Sequence, residues 1–206
     1  MNSINVWGGS NTHLLKLPGK IVGESNYDIA ISMAKRLEWV FRSFYWENSI
    51  GGISACQVAK NKDEVLSLFI LKDKETLYTF TNPKVVDQSQ LGIITIISCY
   101  SSPTGEFALQ IAPQWMQVQY LDLKTKKTKE VRLNHPLTNP TLHEMTHLRG
   151  ASFWDDVIPS THVLTHKELS DLNAKTDEQK FKALLGNHAL ANTYKDGAVL
   201  YLPTLY

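Results

Sequence analysis

The pentapeptide His143-Glu144-Met145-Thr146-His147 places two metal-ligating side chains four positions apart, with a carboxylate between them. On a helix, residues four apart project from the same face, so both imidazoles reach a single metal ion. The flanking residues favour a helix, because Asn139 suits an N-cap and Pro140 suits the first helical position. The sequence therefore predicts a metal-binding helix, with Glu144 placed to accept a proton from water beside the metal.

Length and composition describe one globular unit. The 206 residues are about 1.4 times a typical domain of roughly 150 residues. We therefore expect one domain over 1–206, with an N-terminal arm over 1–25 and a C-terminal helical extension over 165–206. Hydrophobic residues make up 43% and charged residues 20%, which excludes disordered, collagen-like and coiled-coil chains. The formal net charge of +1 at pH 7 gives no basic surface for DNA.

The chain lacks the usual signals of a membrane or secreted protein. Its most apolar stretch, 91–97, is about a third of the roughly 20 residues that span a bilayer. The N-terminus has no continuous apolar segment of the kind that directs secretion. Two cysteines, Cys56 and Cys99, are too few for a disulfide framework. We therefore expect a cytoplasmic protein without membrane contact.

Hydrophobic periodicity predicts a helix, then antiparallel strands, then further helices. Ser25 is the expected N-cap of the first helix, and Asn82-Pro83 is expected to end the second strand. This order predicts an α+β domain with antiparallel sheets packed around the metal-binding helix. The predicted strands are 65–71, 76–81, 115–123 and 129–133, and the predicted helices are 26–45, 165–172 and 177–193.

A catalytic metal held by two histidines usually has a third protein ligand, and three positions in this sequence correspond to known arrangements. In peptidases of the HExxHxxGxxH type it would be Phe153, which cannot bind metal, so this class is excluded. Glu168, 21 residues after His147, would give a thermolysin-like peptidase. Cys99 would give one thiolate and two imidazoles, a set that suits Fe(II) or Zn(II). The residues alone leave both Glu168 and Cys99 open.

Three segments, in this order along the chain, resemble the motifs of the peptide deformylases. They are Gly-Ile-Ser-Ala-Cys-Gln at 52–57, Ser-Cys-Tyr-Ser-Ser-Pro at 98–103 and His-Glu-Met-Thr-His-Leu-Arg-Gly at 143–150. The corresponding family patterns are GxGLAAPQ, EGCLSxP and HExDHLxG. The resemblance spans about 26–156, and it implies a metal-dependent amide hydrolase with the deformylase fold.

The resemblance assigns a role to each matching residue. It implies that Cys99, His143 and His147 hold one divalent metal ion, natively Fe(II), with Zn, Ni or Co as substitutes. It implies that Glu144 is the general base and acid. It further implies that the side-chain amide of Gln57 and the backbone N–H of Tyr100 stabilise the oxyanion, and that Gly52 and Ile53 bind substrate.

The implied substrates are N-formyl-methionyl nascent polypeptides, met at or near the ribosome by a monomeric enzyme. Three other functions stay open beside this one. They are a deformylase-like amidase for another acyl amine, a zincin peptidase that uses Glu168, and a non-catalytic binder of acyl or formylated chains.

Several positions depart from the family patterns, while the implied metal ligands and general base are kept. Groups around a metal site commonly change its affinity or activity by 10- to 100-fold. Metal binding is therefore the firmer expectation, and rate and substrate preference the weaker ones. The departures are Ile50, Ser54 and Cys56 in the first motif, Ile97, Ser98 and Tyr100 in the second, and Leu142 and Thr146 in or before the third.

Overall fold

The structure is a computed structural model that describes residues 4–5, 9–44, 50–74, 76–102 and 106–158, with positions 163, 165, 167, 168, 171, 179, 200 and 201. Two short 3-10 turns, Glu24–Asn26 and Phe153–Asp155, accompany the helices and strands. The helices are α1 (Thr12–Leu15), α2 (Tyr27–Phe44), α3 (Ala55–Val58) and α4 (Thr138–Leu148). The strands are β1 (Gly51–Ser54), β2 (Leu68–Asp73), β3 (Thr76–Gln88), β4 (Leu91–Ser98), β5 (Phe107–Pro113), β6 (Trp115–Asp122), β7 (Lys127–Asn134) and β8 (Leu200–Tyr201).

The strands form two antiparallel sheets. The larger sheet has the order β1-β2-β3-β6-β7, and the smaller has the order β5-β4-β8. Helix α4 contacts strands of both sheets, β1 and β2 of the larger and β4 and β5 of the smaller. The α+β class with antiparallel sheets around the helix of the HExxH segment is thereby confirmed.

The two sides of helix α4 carry different kinds of side chain. Leu142, Met145 and Leu148 pack against a core cluster that includes Phe69 and Phe80 of the larger sheet. The spacing of three residues keeps these apolar side chains on one side of the helix. The histidines and the glutamate are therefore left for the opposite side, between the sheets, where they are also buried.

Helix α2 confirms the periodicity predicted for 26–45 as far as Phe44. Met33, Leu37, Val40 and Phe41 are at most 1% exposed and pack against β2. The predicted cap differs, because Ser25 lies inside the 3-10 turn and Asn26 Oδ1 accepts the N–H of Gly23 at 2.8 Å.

The N-terminal segment is not the extended surface arm that was expected. Within it, α1 buries Leu14 and Leu15, which are 1% and 0% exposed, in the same core as α2. Further along, Gly19 lies so close to the backbone that an added Cβ would be 2.8 Å from the carbonyl oxygen of Leu66. Glycine is therefore needed where this segment crosses the start of the larger sheet.

Strand β3 is longer than the sequence predicted, because Asn82-Pro83 does not end it. The pairing with β6 shifts register between Thr81 and Lys84, which marks a bulge. Asn82 takes a positive φ of 49°, and its side chain bonds both the N–H and the carbonyl of Val22. A bulge tolerates proline within a strand because a ladder hydrogen bond is already missing there.

Helix α4 begins two residues earlier along the chain than an N-cap at Asn139 would place it. Its N-cap is Leu137, and no side chain caps it. The turn before it supplies hydrogen bonds instead, since Asn139 N–H donates to the carbonyl of Pro136. Asn139 directs its amide to Thr95 Oγ1 at 3.0 Å, so it ties α4 to β4 rather than capping the helix.

The C-terminal prediction is tested only at single positions. Positions 167, 168 and 171 are helical, in agreement with the helix predicted over 165–172. The helix predicted over 177–193 lies outside the described residues, apart from position 179. The described part of the chain has no helix that is both long and apolar enough to cross a bilayer.

Candidate metal centre

Three potential ligands from distant parts of the chain meet at one point. Cys99 directly follows β4, and His143 and His147 lie one turn apart on α4. One ligand atom from each of the three lies within 4.8 Å of the others. Cys99 Sγ is 3.3 Å from His147 Nε2, and the two imidazole centroids are 4.8 Å apart. The structure thus brings together the residues that the resemblance named as ligands.

The electrostatics of these three residues fit a divalent cation. Burial raises the pKa of the Cys99 thiol to about 12, lowers the pKa of His147 to about 4, and holds that of His143 well below its usual value. The imidazoles are therefore neutral, as metal ligands must be. A thiolate buried here needs a neighbouring positive charge, which a metal ion provides. His143 Nδ1 is also buried with no hydrogen-bond partner in the described part of the chain.

Glu168, the alternative third ligand, is not part of this group among the described side chains. Its carboxylate accepts hydrogen bonds from the N–H and the hydroxyl of Thr165, each at 2.8 Å. These hydrogen bonds lie at the start of the helical positions near 167. The two histidines are grouped with Cys99 instead of Glu168. The thermolysin-like alternative therefore has no support in the described geometry.

Glu144 is held tightly beside the ligands. It is 1% exposed, and burial raises the pKa of its carboxyl to about 8, against a smaller opposing effect of a hydrogen bond from Ser54. Ser54 Oγ lies 2.6 Å from Glu144 Oε2. On the other side, a Cβ added to Gly52 would lie 2.4 Å from Glu144 Cγ. The position of the carboxylate therefore depends on a hydroxyl at 54 and on the missing side chain at 52.

Gln57 and Tyr100 lie beside the thiol. Gln57 Nε2 is 3.1 Å from Ser101 Oγ and 3.9 Å from Cys99 Sγ, and Gln57 Oε1 accepts the N–H of Ser54 at 2.8 Å. Gln57 belongs to the single turn of α3, so it is not an ordinary strand residue. The side chain of Tyr100 is 53% exposed, at the mouth of the cavity described next.

A cavity of about 280 Å³ opens in front of these groups. It brings Glu144 and His143 together with Gln57, Tyr100 and Gly52. Its lining combines apolar side chains with several polar groups that can orient a bound molecule. The other lining residues are Ile50, Gly51, Ile96, Ile97, Ser98, Pro136, Asn139 and Pro140.

The side chain of Ile53 lies in the core and does not line the cavity. Successive residues of a strand face opposite sides, so Gly52 and Ser54 of β1 face Glu144 while Ile53 faces away. Its side chain is 0% exposed in the core beneath α2, and it is not among the cavity-lining residues. The same alternation, applied to β1, is the sequence signal that places Ser54 on the same face of the strand as Gly52.

The sequence model of polypeptide deformylases matches residues 12–162, which is well over half of the chain. The chain belongs to the polypeptide deformylase family. It is thereby a member of a family of metal-dependent hydrolases. A curated peptide deformylase from Finegoldia magna is 28% identical over 137 residues, which cover 66% of this chain and 79% of that protein.

Solved deformylase structures share the fold at lower identity. The enzyme from Thermotoga maritima superposes with a TM-score of 0.62 at 20% identity, covering 77% of this chain and 99% of that one. The Met-Ala-Ser-bound class I type b enzyme from Acinetobacter baumannii gives 0.63 at 19% identity, covering 76% and 100%. These likenesses establish the deformylase fold.

One departure from the family pattern has a visible structural counterpart. Thr146 stands where the deformylase pattern HExDH has aspartate, and its Oγ1 accepts a hydrogen bond from Arg149 at 2.7 Å. Arg149 also lies 3.6 Å from Asp156, whose pKa is raised by burial and lowered by a hydrogen bond from Thr146. The Thr146 hydroxyl therefore connects Arg149 and Asp156 on this side of α4.

Proposed function

We propose that this protein removes the formyl group from the N-terminal methionine of newly made polypeptides. The observation that carries the proposal is the group formed by Cys99, His143 and His147, of which His143 lines the same cavity as Glu144. Family membership adds the class of reaction, a metal-dependent hydrolysis. The Acinetobacter neighbour, which is bound to Met-Ala-Ser, supports a peptide that begins with methionine as the product.

Cys99, His143 and His147 would hold one divalent ion, with Fe(II) as the native metal and Zn, Ni or Co as substitutes. One thiolate and two neutral imidazoles suit these ions. When bound, the ion would supply Lewis acidity, which makes water a stronger acid and polarises the formyl carbonyl.

Glu144 would move the proton. Its carboxylate would take a proton from water as the water oxygen bonds to the formyl carbon, and would pass that proton to the leaving amine as the C–N bond breaks. The products are formate and a free N-terminus. Burial keeps the Glu144 pKa high, which favours a carboxyl group that both accepts and returns a proton.

Gln57 and Tyr100 would stabilise the oxyanion of this step. The Gln57 amide lies beside Cys99, and the backbone N–H of Tyr100 follows that cysteine directly in the chain. Two donors near one ligand suit a negative charge that develops on the formyl oxygen, and each such donor is typically worth a few kcal/mol.

The methionine side chain would occupy the cavity, whose walls include Ile50, Ile96 and Pro140. The backbone of Gly52 and Ile53 would lie along the peptide. We propose that the protein acts as a monomer in the cytoplasm, near the ribosome, and that 1–206 form one domain with an N-terminal segment over 1–25 and a C-terminal helical extension over 165–206.

A second candidate is an amidase that acts on another small acyl amine. It is favoured by the cavity lining, where Tyr100 stands in place of the family's leucine and Asn139 contributes a polar group. The two candidates share the metal centre and the role of Glu144, and they differ in the acyl group and the side chain that the cavity accepts.

A substrate panel with anaerobically purified protein separates the two candidates. It compares formyl-Met-Ala-Ser with acetyl-Met-Ala-Ser, and with formyl peptides that begin with Ala, Leu or Gln. The deformylase proposal predicts that formyl-Met-Ala-Ser has the highest kcat/KM by at least roughly ten-fold, as pocket contacts allow. A higher kcat/KM for an acetyl or non-methionine peptide would instead establish the second candidate.

A further inference from the structure

Ser54 ends strand β1 and lies behind the carboxylate of Glu144, away from the cavity. Its Oγ is 2.6 Å from Glu144 Oε2 and 3.1 Å from the main-chain oxygen of the same residue. Ser54 and Glu144 are 0% and 1% exposed. Glu144 lines the cavity, whereas Ser54 is not one of the lining residues. The hydroxyl therefore contacts the carboxylate from its protein side.

Gly52, two residues before Ser54 on β1, lies against the same carboxylate. A Cβ on Gly52 would lie 2.9 Å from Glu144 Oε1, and Gly52 lines the cavity. Oε2 is thus held by the hydroxyl, while Oε1 lies over the glycine at the cavity wall. Because Glu144 Oε2 is hydrogen-bonded and Glu144 Cγ lies against the backbone of Gly52, few side-chain rotamers are open to Glu144. Oε1 is therefore kept at the cavity.

We infer that Ser54 is a positioning residue for the reaction, which holds Glu144 so that Oε1 faces the substrate. This inference rests on the proposed deformylase activity. Position 54 is one of the departures from the family pattern GxGLAAPQ, with serine in place of alanine, and its hydroxyl makes this contact. Partners that orient groups at a metal site commonly change activity by 10- to 100-fold.

A purely structural role for Ser54 is distinguishable from this one. Its backbone N–H already anchors α3 through Gln57 Oε1 at 2.8 Å, and that bond does not need the hydroxyl. Ser54→Ala therefore removes the contacts of Oγ and leaves the backbone bond in place. Oγ contacts Glu144 and also takes part in the capping box at the start of α3, so the comparison with a Glu144→Ala background isolates its contact with the carboxylate.

The test compares Ser54→Ala with Ser89→Ala in metal-loaded protein acting on formyl-Met-Ala-Ser. Ser89 is a matched control, because it is also buried and its hydroxyl bonds the carbonyl of Leu91 at 2.7 Å, outside the cavity lining. We expect Ser54→Ala to lower kcat by roughly ten-fold or more with KM little changed. Ser89→Ala should keep both constants.

Two readouts do not depend on turnover. Metal content and calorimetric affinity for the product peptide Met-Ala-Ser should be the same in Ser54→Ala and wild type. In chemical denaturation, Ser54→Ala should lower the midpoint more in wild type than in a Glu144→Ala background, because the carboxylate partner is then already gone. If Ser54→Ala does not fold, Ser54→Gly replaces it, since glycine is also accepted at a helix N-cap.

The outcomes separate this inference from the proposed function. Unchanged kcat in Ser54→Ala, or an equal loss in Ser89→Ala, would overturn the role of Ser54. An equal midpoint shift in both Glu144 backgrounds would do the same. If wild type has metal but does not act on the formyl peptide, the proposed function fails, and the role of Ser54 in that reaction fails with it.

Discussion

A Cβ atom on Gly52 would lie 2.4 Å from Cγ of Glu144, a distance that real Cβ contacts essentially never show. Gly52 lies on β1 and Glu144 on α4, so the two elements are in close contact where the carboxylate is placed. The resemblance to the peptide deformylases implies that Gly52 is a glycine because its backbone contacts the substrate. The geometry adds a second reason, which is that any side chain at 52 displaces the proposed general base.

Gly52→Ala tests this relationship. The added methyl group must push Glu144 from its position, so we expect kcat to fall by roughly 100-fold or more and the unfolding free energy to fall by about 1–3 kcal/mol. Steady-state kinetics and denaturant unfolding measure the two effects. Gly23→Ala is the matched control, because a Cβ there meets nothing within 4 Å. Full activity in Gly52→Ala would contradict the account.

The two cysteines should behave differently toward metal. Cys99→Ala removes one of the three grouped ligands, so we expect most of the bound metal to be lost on gel filtration. Cys56→Ala should keep its metal, because Cys56 is a buried core residue outside that group. Glu168→Gln should also keep it. Metal analysis of the anaerobically purified variants decides, and retention of metal by Cys99→Ala would exclude the Cys-His-His centre.

The ion pair between Arg36 and Glu64 predicts a pH-dependent contribution to stability. Arg36 donates two hydrogen bonds to Glu64, at 2.7 and 3.0 Å, and the two side chains are only 16% and 18% exposed. The bond from Arg36 lowers the pKa of Glu64, while burial opposes this. Because the folded state favours the ionised carboxylate, the stability is present above the ordinary glutamate pKa and is lost as pH falls below it.

Glu64→Gln should therefore lower the unfolding free energy by about 1–2 kcal/mol near neutral pH. The difference from wild type should shrink between about pH 5 and pH 3, as the wild-type carboxylate becomes protonated. Urea denaturation at a series of pH values measures it. Asp63→Asn, at the exposed pair with Lys20, serves as the control and should change little. A difference that stays constant over this pH range would refute the assignment.

The parts of the fold with strong local signals could be predicted from the sequence. Helix α2 follows from large apolar residues at helical spacing, and α4 follows from the HExxH segment with Pro140 in its first turn. Strand β5 was not predicted, since its sequence FALQIAP lacks a period of two and five of its seven residues are buried. The bulge at Asn82 depends on hydrogen bonds with Val22, a residue 60 positions away in the sequence.

The site shows the same division between local and long-range information. The spacing of His143 and His147 fixes their common face, whereas their meeting with Cys99 depends on the packing of α4 against β4 and β5. The resemblance implies that Ile53 binds substrate, and strand alternation turns its side chain into the core, so the proposed contact with substrate is through its backbone. Ser54 was known only as a departure from a pattern, and its contact with Glu144 needs the tertiary structure.

The most direct test of the proposed function is formate release from formyl-Met-Ala-Ser by anaerobically purified protein, with wild type compared to Glu144→Ala at equal metal content. We expect about one divalent metal ion per chain in both proteins, and turnover in wild type that falls by at least roughly 1000-fold in Glu144→Ala. Metal-loaded wild type without formate release, or turnover that survives in Glu144→Ala, would contradict it.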